Sequence, residues 1–171
     1  EGTTAQYTNP QMIEIRRNSC IQSGKILGIK SFDFLDFPDM RLDTMPHLEI
    51  NMSIEKIIKK FKPEIVYTAP YHDLNKDHTC VFESTLVATR PLSSSVKKVL
   101  SYELPGTPKK QFNPNVFNNI NKEIKFKIKA FQKYKNEIKR FPQLAKKLNI
   151  HASVFSGEFP HQRSIKAIEV Q

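Results

Sequence analysis

The chain contains no tryptophan, two cysteines and five glycines among its 171 residues. Two cysteines, Cys20 and Cys80, cannot build a disulfide framework or a cysteine-rich zinc module, and they are typical of reduced thiols in an intracellular protein. The scarcity of glycine excludes the glycine-rich loops that bind phosphates and dinucleotides. No run approaches the roughly 18 apolar residues of a membrane-spanning helix, and residues 1–20 hold no secretory signal. These absences predict a cytoplasmic protein without a membrane span.

The distribution of charge is the unusual feature of the composition. The formal net charge is +10, yet residues 1–95 carry 11 basic and 12 acidic side chains, whereas residues 96–171 carry 16 basic and 5 acidic. Such asymmetry between halves can indicate binding to nucleic acid or to a membrane surface. However, 21 of the 27 basic residues are lysine, so a compositional bias explains the charge equally well. The charge alone therefore assigns no partner.

Hydrophobic periodicity indicates alternating helices and strands. Helices are predicted at 11–28, 52–62, 78–89 and 121–139, and strands at 32–37, 64–68, 96–103 and 115–120. This order is typical of an α/β domain with a mainly parallel sheet. Ligands bind beyond the carboxyl ends of the strands in such sheets, so loop 70–77 is the expected site.

The loop and the residue after it combine two imidazoles with two carboxylates: His72, Asp73, Asp77 and His78. Histidine and aspartate are common zinc ligands, and a zinc-bound water can become a nucleophile that a nearby carboxylate deprotonates. An alternative is structural: Asp77 would cap the helix that begins near His78, and the imidazoles would lie at the surface. The spacing of these residues leaves both interpretations open.

Longer blocks of sequence carry a more specific signal. Segments Pro63–Thr68, Asp73–His78 and Val87–Pro91 together resemble the PIG-L/LmbE-like family of zinc-dependent N-deacetylases. Further similar blocks are Ile15–Ile29, Leu35–Asp39, Arg41–Asp43, Ser101–Pro105, Phe112–Phe117, Tyr134–Glu137 and Phe159–Ser164. The resemblance extends over nearly the whole chain, with the blocks in the family's order.

The resemblance implies a single Rossmann-like, three-layer α/β domain over residues 1–171. It also implies an enzyme that uses Zn²⁺ or another divalent metal to remove an N-acetyl group from an amino sugar or sugar conjugate. His78 matches the family's metal-binding histidine after the central strand, and Asp77 matches the catalytic-site carboxylate beside it. The positions expected near the substrate cleft are Arg16, Asp39, His161 and Arg163.

The sequence departs from the family pattern in three places. The His-Pro-Asp-Asp-Glu motif, which supplies two metal ligands and the base aspartate, is absent, so we expect a fragment that lacks the first strand. Asn75 stands where many members have a histidine that acts as general acid, and an amide cannot titrate. His72 is therefore the candidate proton donor. Residues 143–157 form an insertion before the segment that holds His161.

Two other functions stay open. The chain could be a non-catalytic homologue that has lost the metal motif, or a basic module that binds nucleic acid or another polyanion. No recognised nucleic-acid motif is present, so no nucleic-acid partner is expected. The coding sequence immediately upstream of Glu1 would separate the enzyme from the non-catalytic homologue.

Overall fold

The computed structural model describes residues 10–91, 93–104, 109–140 and 167–170. The elements in chain order are α1 (Pro10–Leu27), a short 3-10 helix (Leu42–Thr44), α2 (His47–Phe61), β1 (Ile65–Thr68), α3 (Lys76–Ala88), β2 (Lys98–Tyr102), α4 (Ile124–Phe131), α5 (Lys135–Arg140) and β3 (Ala167–Val170). Helices and strands alternate through the middle of the chain, which confirms the α/β class. The insertion predicted at 143–157 lies outside the described residues.

The described residues form two compact units. One contains α1, α4 and α5, from residues 10–34 and 118–140, and the other contains α2, α3 and the strands. The expectation of a single domain over 1–171 stays a prediction. Among the described helices, none has the length and apolar character needed to cross a bilayer.

Helix α1 agrees with the helix predicted at 11–28, and its end has a clear physical cause. Gly28 adopts φ 75°, a left-handed conformation that is open to glycine. The N–H of Ile29 then donates to the carbonyl of Gly24 at 2.9 Å, which satisfies a carbonyl of the last turn.

Helix α2 begins five residues before the predicted start at residue 52. Pro46 precedes its first turn, where the missing N–H of proline costs no helical hydrogen bond. Ile50 and Ile58 are buried on the apolar face of the helix. At the far end Lys62 adopts φ 47° and its N–H donates to the carbonyl of Ile58 at 2.7 Å, so a lysine occupies a position that favours glycine.

The sheet of the described residues has the strand order β1-β2-β3. Strands β1 and β2 pair in parallel, with Ile65 opposite Lys98 and Thr68 opposite Ser101. Strand β3 pairs antiparallel with the other edge of β2. The parallel pair places the ends of β1 and β2 at the same edge, where the sequence predicted a site.

Hydroxyl groups connect the sheet to the helix that covers it. Thr68 donates a hydrogen bond to the hydroxyl of Thr85 at 3.1 Å, and both side chains are buried. Ser101 donates to the carbonyl of Ala69 at 3.1 Å. These bonds fix the start of the loop after β1 against α3 and β2.

Three sequence predictions of secondary structure are wrong. Residues 32–37 form no strand: the rings of Phe32 and Phe34 do lie on one side, 6.3 Å apart, but Asp36 adopts φ 57°, which breaks an extended conformation. The strand predicted at 115–120 is reduced to an isolated bridge at Val116. The helix predicted at 121–139 is broken at residues 132–134, where no proline or glycine marks the break.

Candidate functional site

The candidate site lies beyond the carboxyl end of β1, in the loop that leads to α3. Asn75 is the N-cap of α3: its side-chain oxygen accepts from the N–H of Asp77 at 2.9 Å. The N–H of Asn75 donates to Oδ1 of Asp73 at 2.7 Å, which closes a tight turn. The sequence interpretation that Asp77 caps this helix is therefore wrong, and the helix begins at Lys76, two residues before His78.

Asp73 and His78 form the central pair of the site. The carboxylate of Asp73 is 0% exposed, and its Oδ2 lies 3.1 Å from Nδ1 of His78. This contact is an ion-pair contact without the alignment of a directed hydrogen bond. The other ring nitrogen, Nε2, lies 3.4 Å from the side-chain nitrogen of Asn75. The imidazole is 32% exposed, so one ring nitrogen faces a buried carboxylate while part of the ring remains accessible.

Asp77 points away from this pair, toward the segment before α2. Its carboxylate is 8% exposed. Oδ2 accepts from the N–H of Met40 at 2.5 Å, and Oδ1 accepts from the N–H of Leu42 at 3.0 Å. Both oxygens are thus occupied by backbone donors, an arrangement that stabilises the ionised carboxylate and holds the segment around Asp39.

The contact with Asp77 involves a residue, Met40, whose backbone conformation is unfavourable. Met40 adopts φ 57°, a left-handed conformation that costs a residue with a Cβ roughly 1–2 kcal/mol. The carboxylate of Asp77 compensates for that cost by binding the N–H of the strained residue. A second link, from Nζ of Lys76 to Oδ2 of Asp43 at 3.1 Å, joins the same two segments at the surface.

The buried carboxylate of Asp73 also affects the ionisation of Tyr102, at the end of β2. Burial raises the pKa of its hydroxyl above the ordinary value, and the negative charge of Asp73 raises it further. The phenol therefore stays neutral through the physiological range.

The family comparison covers this part of the chain. The chain matches the family described as PIG-L, GlcNAc-PI de-N-acetylase, over residues 1–89, just over half of its length. The chain belongs to the PIG-L family. The matched range includes the Asp73–His78 pair, Asp77 and the segment that Asp77 holds.

Individual relatives of this PIG-L family member support the same family. The uncharacterized deacetylase YaiS of Escherichia coli K12 is 35% identical over an alignment of 121 residues, and the match covers 66% of this chain and 60% of the relative. The match therefore spans less than two thirds of that relative.

Three solved structures share the fold. The conserved protein TT1542 of Thermus thermophilus has a TM-score of 0.74 at 17% identity, covering 98% of this chain and 75% of that protein. An N,N'-diacetylchitobiose deacetylase of Pyrococcus horikoshii has a TM-score of 0.70 at 17% identity, covering 99% and 68%. The hydratase GalB of Pseudomonas putida KT2440 has a TM-score of 0.65 at 18% identity, covering 97% and 73%. A deacetylase and a hydratase share this fold, so the fold by itself does not assign the reaction.

The other predicted site residues have different surroundings. His72 is exposed, and its ring centroid lies 4.8 Å from that of Tyr71. Asp39 is partly buried in the segment that Asp77 holds. Arg16 belongs to the other compact unit, where its guanidinium pairs with Glu137. His161 and Arg163 lie outside the described residues.

The metal prediction is met only in part. His78 offers one imidazole whose Nδ1 faces a carboxylate, the pairing that typically orients a metal-binding histidine. Within residues 10–91, 93–104, 109–140 and 167–170, no three histidine, cysteine, aspartate or glutamate side chains meet in a way that could hold a metal ion. The described residues therefore fit one ligand of a metal and do not complete a three-ligand site.

Two features outside the site resemble catalytic groups but lack their geometry. Nε2 of His47 lies 3.2 Å from the hydroxyl of Ser84 and 3.8 Å from Oε2 of Glu83. A catalytic triad needs its serine and its acid on different ring nitrogens, and Ser84 is 0% exposed. Burial raises the pKa of the Cys80 thiol, and the nearby Glu83 raises it further, which disfavours a reactive thiolate.

Asp73 is the site residue that sequence reasoning missed. It stood within the recognised motif, but His78, Asp77 and His72 received roles and Asp73 did not. The available signal was the Asp73-x-Asn75 spacing, which is typical of an aspartate that accepts from the backbone two residues later. That turn directs the Asp73 carboxylate toward the first turn of α3 and hence toward His78.

Proposed function

We propose that this PIG-L family member is a metal-dependent hydrolase that removes the N-acetyl group from an amino sugar or sugar conjugate. The supporting observation is the contact between the buried carboxylate of Asp73 and Nδ1 of His78, within the part of the chain that matches the family. The family description and the deacetylase names among its relatives supply the reaction class. A cytoplasmic location is part of the proposal, because Cys20 and Cys80 are both free thiols.

In this proposal His78 is one metal ligand, through Nε2, and the remaining ligands come from outside the described residues. Zn²⁺ or a similar ion, when bound, would supply Lewis acidity toward the amide carbonyl and toward a water molecule. Asp73 is proposed to orient the imidazole, because its carboxylate lies 3.1 Å from Nδ1, the ring nitrogen that is not assigned to the metal. Neither role requires His78 to move, since its backbone lies in the first turn of α3.

The remaining loop residues have supporting roles in the proposal. His72 is the exposed imidazole that can donate a proton to the departing amine, a task that the amide of Asn75 cannot perform. Asp77, which sequence analysis placed among the catalytic residues, acts as a positioning residue that holds the Met40 segment and with it Asp39.

The proposed substrate contacts come from four further residues. Asp39 is suited to accept hydrogen bonds from sugar hydroxyls, since it is partly buried in the segment held by Asp77. Arg16, His161 and Arg163 are proposed to contact the sugar or its conjugate on the basis of the family resemblance. For Arg16 this requires the guanidinium to contact a substrate while it is paired with Glu137.

The deciding experiment measures acetate release from N-acetylated amino sugars and metal content on the same samples. The parent is compared with His78→Ala, His72→Ala and the control His47→Gln, which removes an imidazole outside the site. We expect His78→Ala to lose both bound zinc and activity, His72→Ala to lose activity only, and His47→Gln to keep both.

Activity that survives a chelator and also survives His78→Ala would contradict the metal assignment. Absence of acetate release from a protein that includes the coding sequence upstream of Glu1 would favour the non-catalytic homologue. Salt-sensitive binding of nucleic acid without acetate release would favour the basic binding module.

A further inference from the structure

Helix α4 presents a surface that the proposed deacetylase function does not use. Lys125, Phe126 and Lys129 are exposed side by side, and we call them the Lys-Phe face. Lys129 lies three residues after Phe126 and is therefore its neighbour on the helix surface, while the ammonium of Lys125 lies over the same ring. With Ile128 and Gln132 they line a shallow cavity of about 360 Å³.

The opposite side of α4 is already occupied. Ala130 is buried, and Ile124 and Phe131 are partly buried within the unit that α4 shares with α1. The apolar residues of this side account for the packing of the helix. Phe126 is 44% exposed and does not belong to that side, so core packing does not explain a phenylalanine at this position.

The surroundings of the Lys-Phe face are strongly basic. Residues 122–140 contain eight lysine or arginine residues and two glutamates. One of these glutamates, Glu137, is paired with Arg16. The exposed lysines of this stretch are Lys122, Lys125, Lys127, Lys129, Lys133, Lys135 and Lys139. A partner for this surface must therefore carry dense negative charge.

We infer that the Lys-Phe face docks on the surface of an anionic lipid bilayer. Lysines near such a surface each contribute about 1 kcal/mol of binding free energy, and a phenylalanine can enter the boundary between headgroups and acyl chains. The Nζ atom of Lys125 lies 5.2 Å from the centroid of the Phe126 ring. One apolar ring is thus surrounded by cations that would contact the headgroups while the ring inserts. This is peripheral binding, consistent with the finding that no described helix could span a membrane.

The composition of the face favours a bilayer over nucleic acid. Every basic residue from 122 to 139 is lysine, and arginine is the residue whose planar fork suits phosphate recognition in nucleic acids. Single-stranded nucleic acid is usually bound by successive aromatic rings along a groove. Phe126 is the only strongly exposed ring of α4, which fits insertion of one side chain better than stacking of successive bases.

The test is co-sedimentation of the full chain with vesicles, and it does not depend on enzymatic activity. Vesicles of phosphatidylcholine and phosphatidylserine in equal amounts are compared with vesicles of phosphatidylcholine alone. We expect binding to the anionic vesicles only. The double variant Lys125→Gln/Lys129→Gln should weaken this binding by about 25-fold, from about 1 kcal/mol per lysine.

Two further variants test whether the Phe126 ring inserts into the bilayer and whether binding depends on the location of the lysines or only on the net charge. Phe126→Ser should weaken binding by about tenfold, since the ring no longer leaves water. The control Lys109→Gln/Lys110→Gln removes the same charge from an exposed loop outside α4 and should weaken binding much less than Lys125→Gln/Lys129→Gln does. Circular dichroism of every variant checks that the fold is retained.

Three results would overturn the inference. The first is no binding to the anionic vesicles, and the second is equal weakening by the control and by the Lys125/Lys129 variant. The third is that the protein binds a single-stranded oligonucleotide but neither kind of vesicle. In that case Phe126→Ser would weaken binding of the oligonucleotide.

Discussion

The carboxylate of Asp77 binds the N–H of Met40, a residue in a left-handed conformation 37 positions earlier in the chain. The same carboxylate binds the N–H of Leu42. One side chain in the first turn of α3 therefore fixes the conformation of the segment before α2. Each oxygen of the Asp77 carboxylate accepts a backbone N–H, which is the reason to propose Asp77 as a positioning residue.

Replacing Asp77 by asparagine should destabilise the protein by about 2–3 kcal/mol. Asparagine keeps one acceptor oxygen, but its amide donor would face the N–H of Met40 or Leu42, so one buried hydrogen bond is lost and two donors oppose each other. Urea unfolding measures the change in the free energy of unfolding, and amide hydrogen exchange should show faster exchange at Met40 and Leu42.

A suitable control is Asp43→Asn, which loses a surface ion pair with Lys76 in the same region. Exposed pairs contribute about 0–1 kcal/mol, so this variant should unfold close to the parent. Equal destabilisation by both variants would show that Asp77 has no special structural role.

Replacing Asp73 by asparagine tests the support of His78. Asparagine retains an acceptor for the N–H of Asn75 but removes the negative charge that lies 3.1 Å from Nδ1 of His78. If His78 binds metal as proposed, we expect zinc affinity to fall about 10- to 100-fold, the usual effect of losing such a partner. Competition with a chromophoric chelator measures the affinity.

Glu83→Gln is the matched control for this experiment, because Glu83 faces His47 instead of His78. It should leave zinc affinity unchanged. A comparable loss in both variants would mean that net charge, not the Asp73–His78 contact, determines metal binding.

The pH dependence of stability should contain a component from Tyr102. Its folded-state pKa is raised above the ordinary value near 10, chiefly by burial and further by Asp73. Above pH 10 the unfolded chain releases this proton while the folded protein retains it, so the folded state is progressively destabilised as pH rises toward the folded-state pKa. Below pH 10 both states hold the proton and the group has no effect.

Tyr102→Phe should therefore flatten the loss of stability above pH 10, measured as the urea midpoint at a series of pH values. Tyr67→Phe, at an exposed position of β1, removes a phenol but keeps Tyr102. An unchanged alkaline slope in Tyr102→Phe would show that the pKa of Tyr102 is not coupled to folding.

The sequence identified the α/β class, the strand at 64–68 and the loop of the site, because local hydrophobic periods and a recognisable motif both point there. Prediction from the sequence failed where contacts between distant segments determine the local conformation or the partners of a side chain. The alternation at Phe32 and Phe34 was a real strand-like signal, but Asp36 breaks it with a left-handed conformation. The family resemblance placed Asp77 in the catalytic site, which stays a prediction, but nothing in the sequence indicated its hydrogen-bond partners, which lie 35 and 37 residues away.

The conformation of Lys62 at the end of α2 was likewise not predictable from the sequence. It leads to the prediction of a substitution that stabilises the protein. Lys62 adopts φ 47° as the C-cap of α2, and its side chain is exposed. Glycine reaches this conformation without the steric cost of a Cβ, so Lys62→Gly should stabilise the protein by about 0.5–1 kcal/mol. Lys60→Gly, two residues earlier and still within α2, should instead destabilise it by about 1 kcal/mol, because glycine in a helix loses more conformational entropy. Thermal and urea unfolding of the two variants against the parent measure both shifts, and a loss of stability in Lys62→Gly would contradict the left-handed cap.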